Sequence, residues 1–174
     1  DDLFSFGGFP ESFLKKNKKT LRRFHDRRTD RLIKQDIRDI ERVSDLSLLQ
    51  ILVDLLPQKV GSLLSIKSFQ EDLEVAHQTV AHWLDVLERF YYHFRISPYT
   101  SKPIASLRKQ PKLYMWDWSQ IPEEDARLEN MVASHLLKFT HLLQDAEGYN
   151  AELYFLRDRD GQHHGHCFCG QYDH

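Results

Sequence analysis

The sequence has few cysteines, no long apolar run and no phosphate-binding loop, and each absence excludes a class of protein. Among its 174 residues only Cys167 and Cys169 are cysteines, and one intervening residue leaves them unable to build a disulfide framework. No apolar run approaches the roughly 20 residues of a membrane-spanning helix, so we expect no membrane contact and a cytoplasmic protein. No G-x-x-x-x-G-K-S/T segment is present, so we expect no ATP hydrolysis from these residues.

The net charge is also small, because 24 basic residues oppose 26 acidic ones and leave −2. A strong overall field that attracts nucleic acid is therefore missing. The stretch from Lys15 to Lys34 is an exception, since ten basic residues there face only Asp26 and Asp30. Such a run either contacts phosphates or an acidic partner, or forms the solvated face of a helix, and we favour the solvated face.

The stretch from Ser65 to Leu87 predicts two short helices joined by a tight turn. Ser65 can cap the first helix, and apolar residues recur at helical spacing along both helices. The recurring residues are Ile66, Phe69, Leu73, Val80, Trp83, Leu84 and Leu87. Two such helices with so short a link are typical of a helix-turn-helix.

Two aromatic, β-prone segments follow and predict a wing: ERFYYHFRISPY (88–99) and PKLYMWDW (111–118), joined by a basic loop. Beyond them, a helix from Glu123 precedes the strand candidate ELYFLRDRDG (152–161). The residues expected to form the buried stripe of that helix are Leu128, Val132, His135, Leu136, Phe139 and Leu143.

The predicted fold is therefore mainly α, with three segments. A helical segment over residues 1–45 precedes a winged helix-turn-helix domain with a short β wing over residues 46–119. A truncated α/β piece with an anomalous tail occupies residues 120–174. Because the chain starts on a hydrophobic turn without an initiator Met, we expect a fragment of a longer protein.

Seven segments also fit one known family in order. They are GGFPE (7–11), QDIRDI (35–40), SLLSIKSFQEDLEVAHQTVAHWLDVLE (62–88), RISPY (95–99), KQPKLYMWD (109–117), LEN (128–130) and LYFLRDRDG (153–161). Together they resemble the C-terminal region of prokaryotic AAA-type ATPases, a region usually labelled a domain of unknown function. The resemblance implies an upstream ATPase module, then a winged helix and a restriction-endonuclease-like domain. ATP and Mg²⁺ would belong to the ATPase module, and we expect no cofactor in this fragment.

Nucleases of that fold hold Mg²⁺ with carboxylates, and Glu129 matches the helix glutamate of the family. After the Asp-Gly turn, however, QHHGHCFCGQYDH (162–174) stands where the family has an acidic residue, an apolar strand and Glu-x-Lys. We therefore expect no strand there and no catalytic residue, with Glu129 as a vestigial candidate only.

The tail itself carries residue types that bind Zn²⁺ or Ni²⁺, namely His163, His164, His166, Cys167 and Cys169. His-His-Gly-His and Cys-x-Cys lack the two separated ligand pairs of a structural zinc site. We favour a frameshifted or truncated terminus over a metal site.

DNA binding by the helix pair would use polar residues at the start of the second helix and basic residues of the wing. The candidates are Gln78, Thr79, His82, Lys102, Arg108, Lys109 and Lys112. Asp85 and Glu88 would repel phosphate further along the helix.

We expect a non-catalytic module of a AAA-type ATPase that binds double-stranded DNA through the winged helix or regulates the ATPase. One alternative is a protein-interaction and packing module without DNA affinity, with the ATPase module or a second copy as partner. A degenerate metal-dependent nuclease is the other alternative.

Overall fold

The computed structural model describes residues 2–38, 45–100 and 109–156, and the backbone of residues 167–171. Most of these residues are helical, as the sequence predicts. The helices before the first strand are α1 (Asp2–Phe6), α2 (Pro10–Lys15), α3 (Lys18–Arg31), α4 (Leu46–Leu55), α5 (Ile66–Leu73) and α6 (His77–Arg89). A π-helical segment, Leu32–Ile37, extends α3, and a 3-10 turn, Leu56–Lys59, extends α4 where Pro57 removes a backbone donor.

The two short helices predicted from Ser65 to Leu87 are confirmed as α5 and α6. The Ser65 hydroxyl accepts a hydrogen bond from the backbone N–H of Ser68 at 3.3 Å and caps α5. Glu74 ends α5 in the left-handed conformation, with φ 53°. Of the apolar residues that the spacing selected, Ile66 is half-buried against the core and the others are buried: Phe69, Leu73, Val80, Trp83, Leu84 and Leu87.

Four strands form one mixed sheet in the order β2-β1-β3-β4. They are β1 (His93–Pro98), β2 (Lys112–Met115), β3 (Ala151–Phe155) and β4 (Cys167–Gln171). β1 is antiparallel to β2 and parallel to β3, and β4 is antiparallel to β3. The long helix α7 (Glu124–Glu147) connects β2 to β3 and packs against the sheet. The expectation that no strand follows the Asp-Gly turn is therefore wrong.

One sheet and one core span all three predicted segments. The strands predicted as a wing lie in the sheet beside β3, where Ser97 pairs with Tyr154 and Pro98 with Phe155. The core includes Ile33 from the first predicted segment, Leu84 from the second and Phe155 from the third. β1 and β2 are therefore central parts of the packing rather than a projecting hairpin.

Four of the six residues predicted for the buried stripe of α7 are exposed, so the prediction is wrong for them, whereas Leu136 and Leu143 are half-buried and Leu136 packs against the core. Leu128, Val132 and Phe139 are each about half exposed, and His135 is exposed as well. Small and polar residues occupy the sheet-facing side instead: Asn130, Ala133, Ser134 and Thr140. Their size lets the helix approach the sheet closely, which larger side chains would prevent.

Asn130 explains why a polar side chain is favourable on that side. Its Oδ1 accepts a hydrogen bond from the Met115 N–H at 2.6 Å, and its Nδ2 donates to the Met115 carbonyl at 2.8 Å. Met115 ends β2, an edge strand, and Asn130 serves the outward backbone groups of this residue, while Gly61 and Ser62 pair with those of Leu113. Asn130 thus fixes which side of α7 faces the sheet.

His93, the first residue of β1, makes stability sensitive to pH. Burial lowers the pKa of His93 to about 4, against about 6.5 for an unfolded histidine. Between these values the unfolded chain binds a proton that the folded chain does not, so the free energy of unfolding falls as pH falls. From pH 7 to pH 5 we expect a loss of about 2 kcal/mol from this group.

Urea denaturation of the wild type and of His93→Gln at both pH values measures this term. The variant removes the titrating group and should show a pH dependence smaller by about 2 kcal/mol. Equal pH dependence in the two proteins would contradict the assignment.

Candidate functional site

Three of the predicted DNA-binding residues lie at the start of α6. Gln78 and His82 are exposed, and Thr79 is half-buried. Asp85 and Glu88, which were expected to repel phosphate, form ion pairs with Arg95 of β1. Asp85 lies 2.7 Å from the Arg95 guanidinium, and Arg95 Nε donates to Glu88 at 2.8 Å. Pairing with Arg95 reduces the repulsion that this face of α6 presents to an anion.

The predicted wing contacts can be placed only in part. Lys109 is exposed just before β2, while Lys102 and Arg108 lie outside the described residues. Lys112 is only 2% exposed, so the expectation that it contacts phosphate is wrong. As the first residue of β2, it turns inward and its ammonium donates to Glu129 at 2.9 Å.

Glu129, the vestigial nuclease candidate, is a partner in this inward ion pair. Its Oε1 accepts hydrogen bonds from Lys112 and, at 2.8 Å, from the Tyr114 hydroxyl. Gly61 packs closely on the carboxylate, since a Cβ there would lie 3.1 Å from Oε2. These contacts use the carboxylate to join α7 to β2, which is a structural role.

The tail that carries the candidate metal ligands can be located only in part. His163, His164 and His166 lie outside the described residues, and Cys167 and Cys169 are described by backbone alone, within β4. Among the side chains that the structure describes, no three His, Cys, Asp or Glu residues cluster closely enough to hold a metal ion. Nor does any helix in the described ranges combine the length and apolar character needed to cross a bilayer.

The basic stretch from Lys15 to Lys34 is divided between the surface and the interior. Glu11 pairs with Arg27 at 2.6 Å, and Asp30 pairs with Lys34 at 2.8 Å. His25 and Arg28 instead turn inward toward the buried Asp117. Part of the run therefore stabilises the fold, and neighbouring acids offset part of the remaining charge.

The outer face of α7 is the largest feature that the sequence interpretation placed wrongly. Leu128, Val132, Phe139 and Leu142 have exposed fractions of 50%, 46%, 50% and 57%. With the exposed His135 they recur at intervals of 4, 3, 4 and 3 residues, which aligns them along one side of the helix. Leu142 did not belong to the predicted stripe, although its spacing to Phe139 places it there. Contiguous exposed apolar side chains of this kind mark interaction surfaces.

The comparisons with known proteins give a family. A family model described as "Domain of unknown function (DUF8612)" matches residues 1–121, which end just before α7. No curated protein and no solved structure matches the chain. The expected relation to AAA-type ATPases and to restriction-endonuclease-like domains stays a prediction.

The ion pair between Lys112 and Glu129 predicts how substitutions at Glu129 behave. Glu129→Gln leaves the buried Lys112 ammonium without a carboxylate, so we expect the free energy of unfolding to fall by about 2–4 kcal/mol. Lys112→Met combined with Glu129→Gln removes the unpaired charge and should recover part of this loss.

Urea denaturation of the single and double variants measures the coupling. Glu124→Gln, an exposed change on the same helix, serves as control and should alter stability by less than about 0.5 kcal/mol. Unchanged stability in Glu129→Gln would contradict the structural role.

Proposed function

This chain belongs to the DUF8612 family, and we propose that it is a non-catalytic interaction module that pairs through α7 with a second copy of itself. The observation that carries this proposal is the exposed apolar stripe Leu128, Val132, His135, Phe139 and Leu142, called here the α7 seam. The seam lies opposite the sheet-facing residues Asn130, Ala133, Ser134 and Thr140, and the described part of the chain leaves its apolar side chains about half exposed.

The spacing of the α7 seam favours a helix as its partner. Intervals of 4 and 3 residues repeat every 7, which is the period at which two helices keep the same sides in contact. An isolated exposed apolar residue needs no partner, but a periodic row on a 24-residue helix does.

A second copy supplies a partner helix of matching pattern. An antiparallel alignment centred on His135 places Leu128 opposite Leu142 of the second copy and brings Val132 within one residue of Phe139 of the second copy. In this alignment the smaller Val132 lies near the larger Phe139, and Leu128 faces Leu142. A parallel alignment would instead set Phe139 against Phe139. Antiparallel helix dipoles also favour this direction.

The size of the α7 seam sets the expected affinity. Four half-exposed apolar side chains cover less than the roughly 800 Å² per partner of a standard stable interface. We therefore expect a reversible dimer with a dissociation constant of roughly micromolar or weaker. A role of this pairing in regulating an ATPase module would follow from the family resemblance.

Self-association can be measured by sedimentation velocity over a series of protein concentrations. The wild type should shift from monomer to dimer as concentration rises. Phe139→Glu places a charge at the centre of the α7 seam, so it should weaken dimerisation by at least about tenfold. Ile51→Glu on α4 is the matched control, because Ile51 is 46% exposed but lies outside the seam.

Two results would overturn the self-pairing: a wild type that stays monomeric up to about millimolar concentration, or equal weakening by Phe139→Glu and Ile51→Glu. Far-UV circular dichroism of each variant establishes that it is folded.

Binding of double-stranded DNA by α5 and α6, as in a winged helix-turn-helix, is the second candidate function. It is favoured by the exposed Gln78 and His82 and by the pairing of Asp85 and Glu88 with Arg95. Because Lys112 is buried, Lys109 is the exposed member of the two predicted wing lysines that the structure describes, and we expect weak binding.

A gel-shift series with duplex DNA at increasing salt tests this second function. We expect binding at low salt with a logarithmic salt slope of about −1 to −3. The combined change Gln78→Ala, His82→Ala and Lys109→Ala should abolish it, while Lys138→Ala on α7 should not. An absence of binding by the wild type at low salt would refute it.

A further inference from the structure

A groove between the N-terminal turn and α7 offers a binding site that the proposed functions do not use. Its volume is about 410 Å³, within the roughly 300–1,000 Å³ of small-molecule sites. Its main lining side chains are Phe9, Trp116, Trp118, His135, Lys138 and His141. They come from three separate parts of the chain, so only the folded protein brings them together.

Aromatic rings form the wall of the groove, and each is held in place from behind. The Trp118 indole N–H donates to the Leu3 carbonyl at 3.0 Å, which satisfies its polar atom and leaves its ring as an apolar surface. Phe94 packs behind Trp116, with ring centroids 5.1 Å apart. Gly8 closes one edge so tightly that a Cβ there would lie 2.8 Å from Trp118. Fixed aromatic walls of this kind suit a planar ring as ligand.

The α7 side of the groove carries a lysine ammonium and an imidazole. Lys138 and His141 are exposed on α7 and line it, and no acidic side chain is among its described lining residues. Lys138 forms no ion pair with any residue that the structure describes, so its ammonium is available to an anion. A ligand with an anionic group beside its ring would therefore satisfy both sides of the groove.

We infer that this groove binds a planar aromatic ring carrying an anionic group, the chemistry of a mononucleotide, either free or within a single-stranded nucleic acid. The ring stacks against Trp116 and Phe9, and the phosphate lies beside Lys138 and His141. The α7 seam shares His135 with the groove, and the other lining residues lie outside the seam.

Calorimetric titrations of the full chain with AMP, with adenosine and with a single-stranded oligo-dT of about 12 nucleotides test the inference. We expect saturable binding of AMP. Lys138→Gln should weaken AMP binding about five- to tenfold through loss of the phosphate contact and should leave adenosine binding unchanged. Lys67→Gln on α5 is the matched control, because Lys67 is exposed and does not line the groove.

The titration with oligo-dT distinguishes a free nucleotide from a single strand as the ligand. Oligo-dT binding that is tighter than AMP binding, and that Lys138→Gln also weakens, would support the site with a single strand as its ligand. Tighter AMP binding would support it with a free nucleotide. Failure of both ligands to saturate the protein at millimolar concentration, or equal affinities of Lys138→Gln and wild type for both, would overturn the inference.

Discussion

The buried carboxylate of Asp117 holds the N-terminal third of the chain against the sheet. His25 Nε2 and the Arg28 guanidinium, both from α3, approach it to 3.5 and 3.7 Å. Gly7 comes so close that a Cβ there would lie 2.9 Å from Asp117 Oδ1, and its φ of +77° is one that glycine adopts without strain. Arg28 also covers the ring of Phe9 at 4.3 Å. Without the Asp117 carboxylate, the half-buried His25 and Arg28 would lack their counterpart.

The same contacts determine which surfaces remain available for function. Docking of the turn at Gly7 and Gly8 beside Trp118 creates the aromatic groove along α7. The bidentate contact of Asn130 with Met115 fixes the rotation of α7 and leaves the α7 seam on the outside. Glu129, pointing from the same helix toward Lys112, adds a second attachment to β2. Glu129, which resembles an active-site carboxylate in the sequence, therefore stabilises the fold. The candidate binding surfaces of the described residues, the α7 seam and the groove, are mainly apolar and aromatic.

Local patterns were enough to predict α5 and α6, because Ser65 and the apolar spacing specify both helices within a short stretch. The orientation of α7 could not be obtained this way. Both of its sides carry plausible core residues, and a tertiary hydrogen bond from Asn130 decides between them. Lys112 was misplaced for a similar reason, since a lysine is expected outside unless an acid such as Glu129 is known to face it. Nothing in the sequence predicts the groove, because its residues are distant from one another in sequence and each has an ordinary packing role.

Antiparallel pairing of the α7 seam brings His135 against its own counterpart in the second copy. Oxidative cross-linking of His135→Cys, with Cys167→Ser and Cys169→Ser to remove the native thiols, measures that proximity directly. In the antiparallel dimer position 135 should cross-link efficiently, whereas Glu147→Cys in the same background should not, because its counterpart would lie about 36 Å away. Cross-linking at both positions would indicate a parallel pair, and cross-linking at neither would contradict pairing through α7.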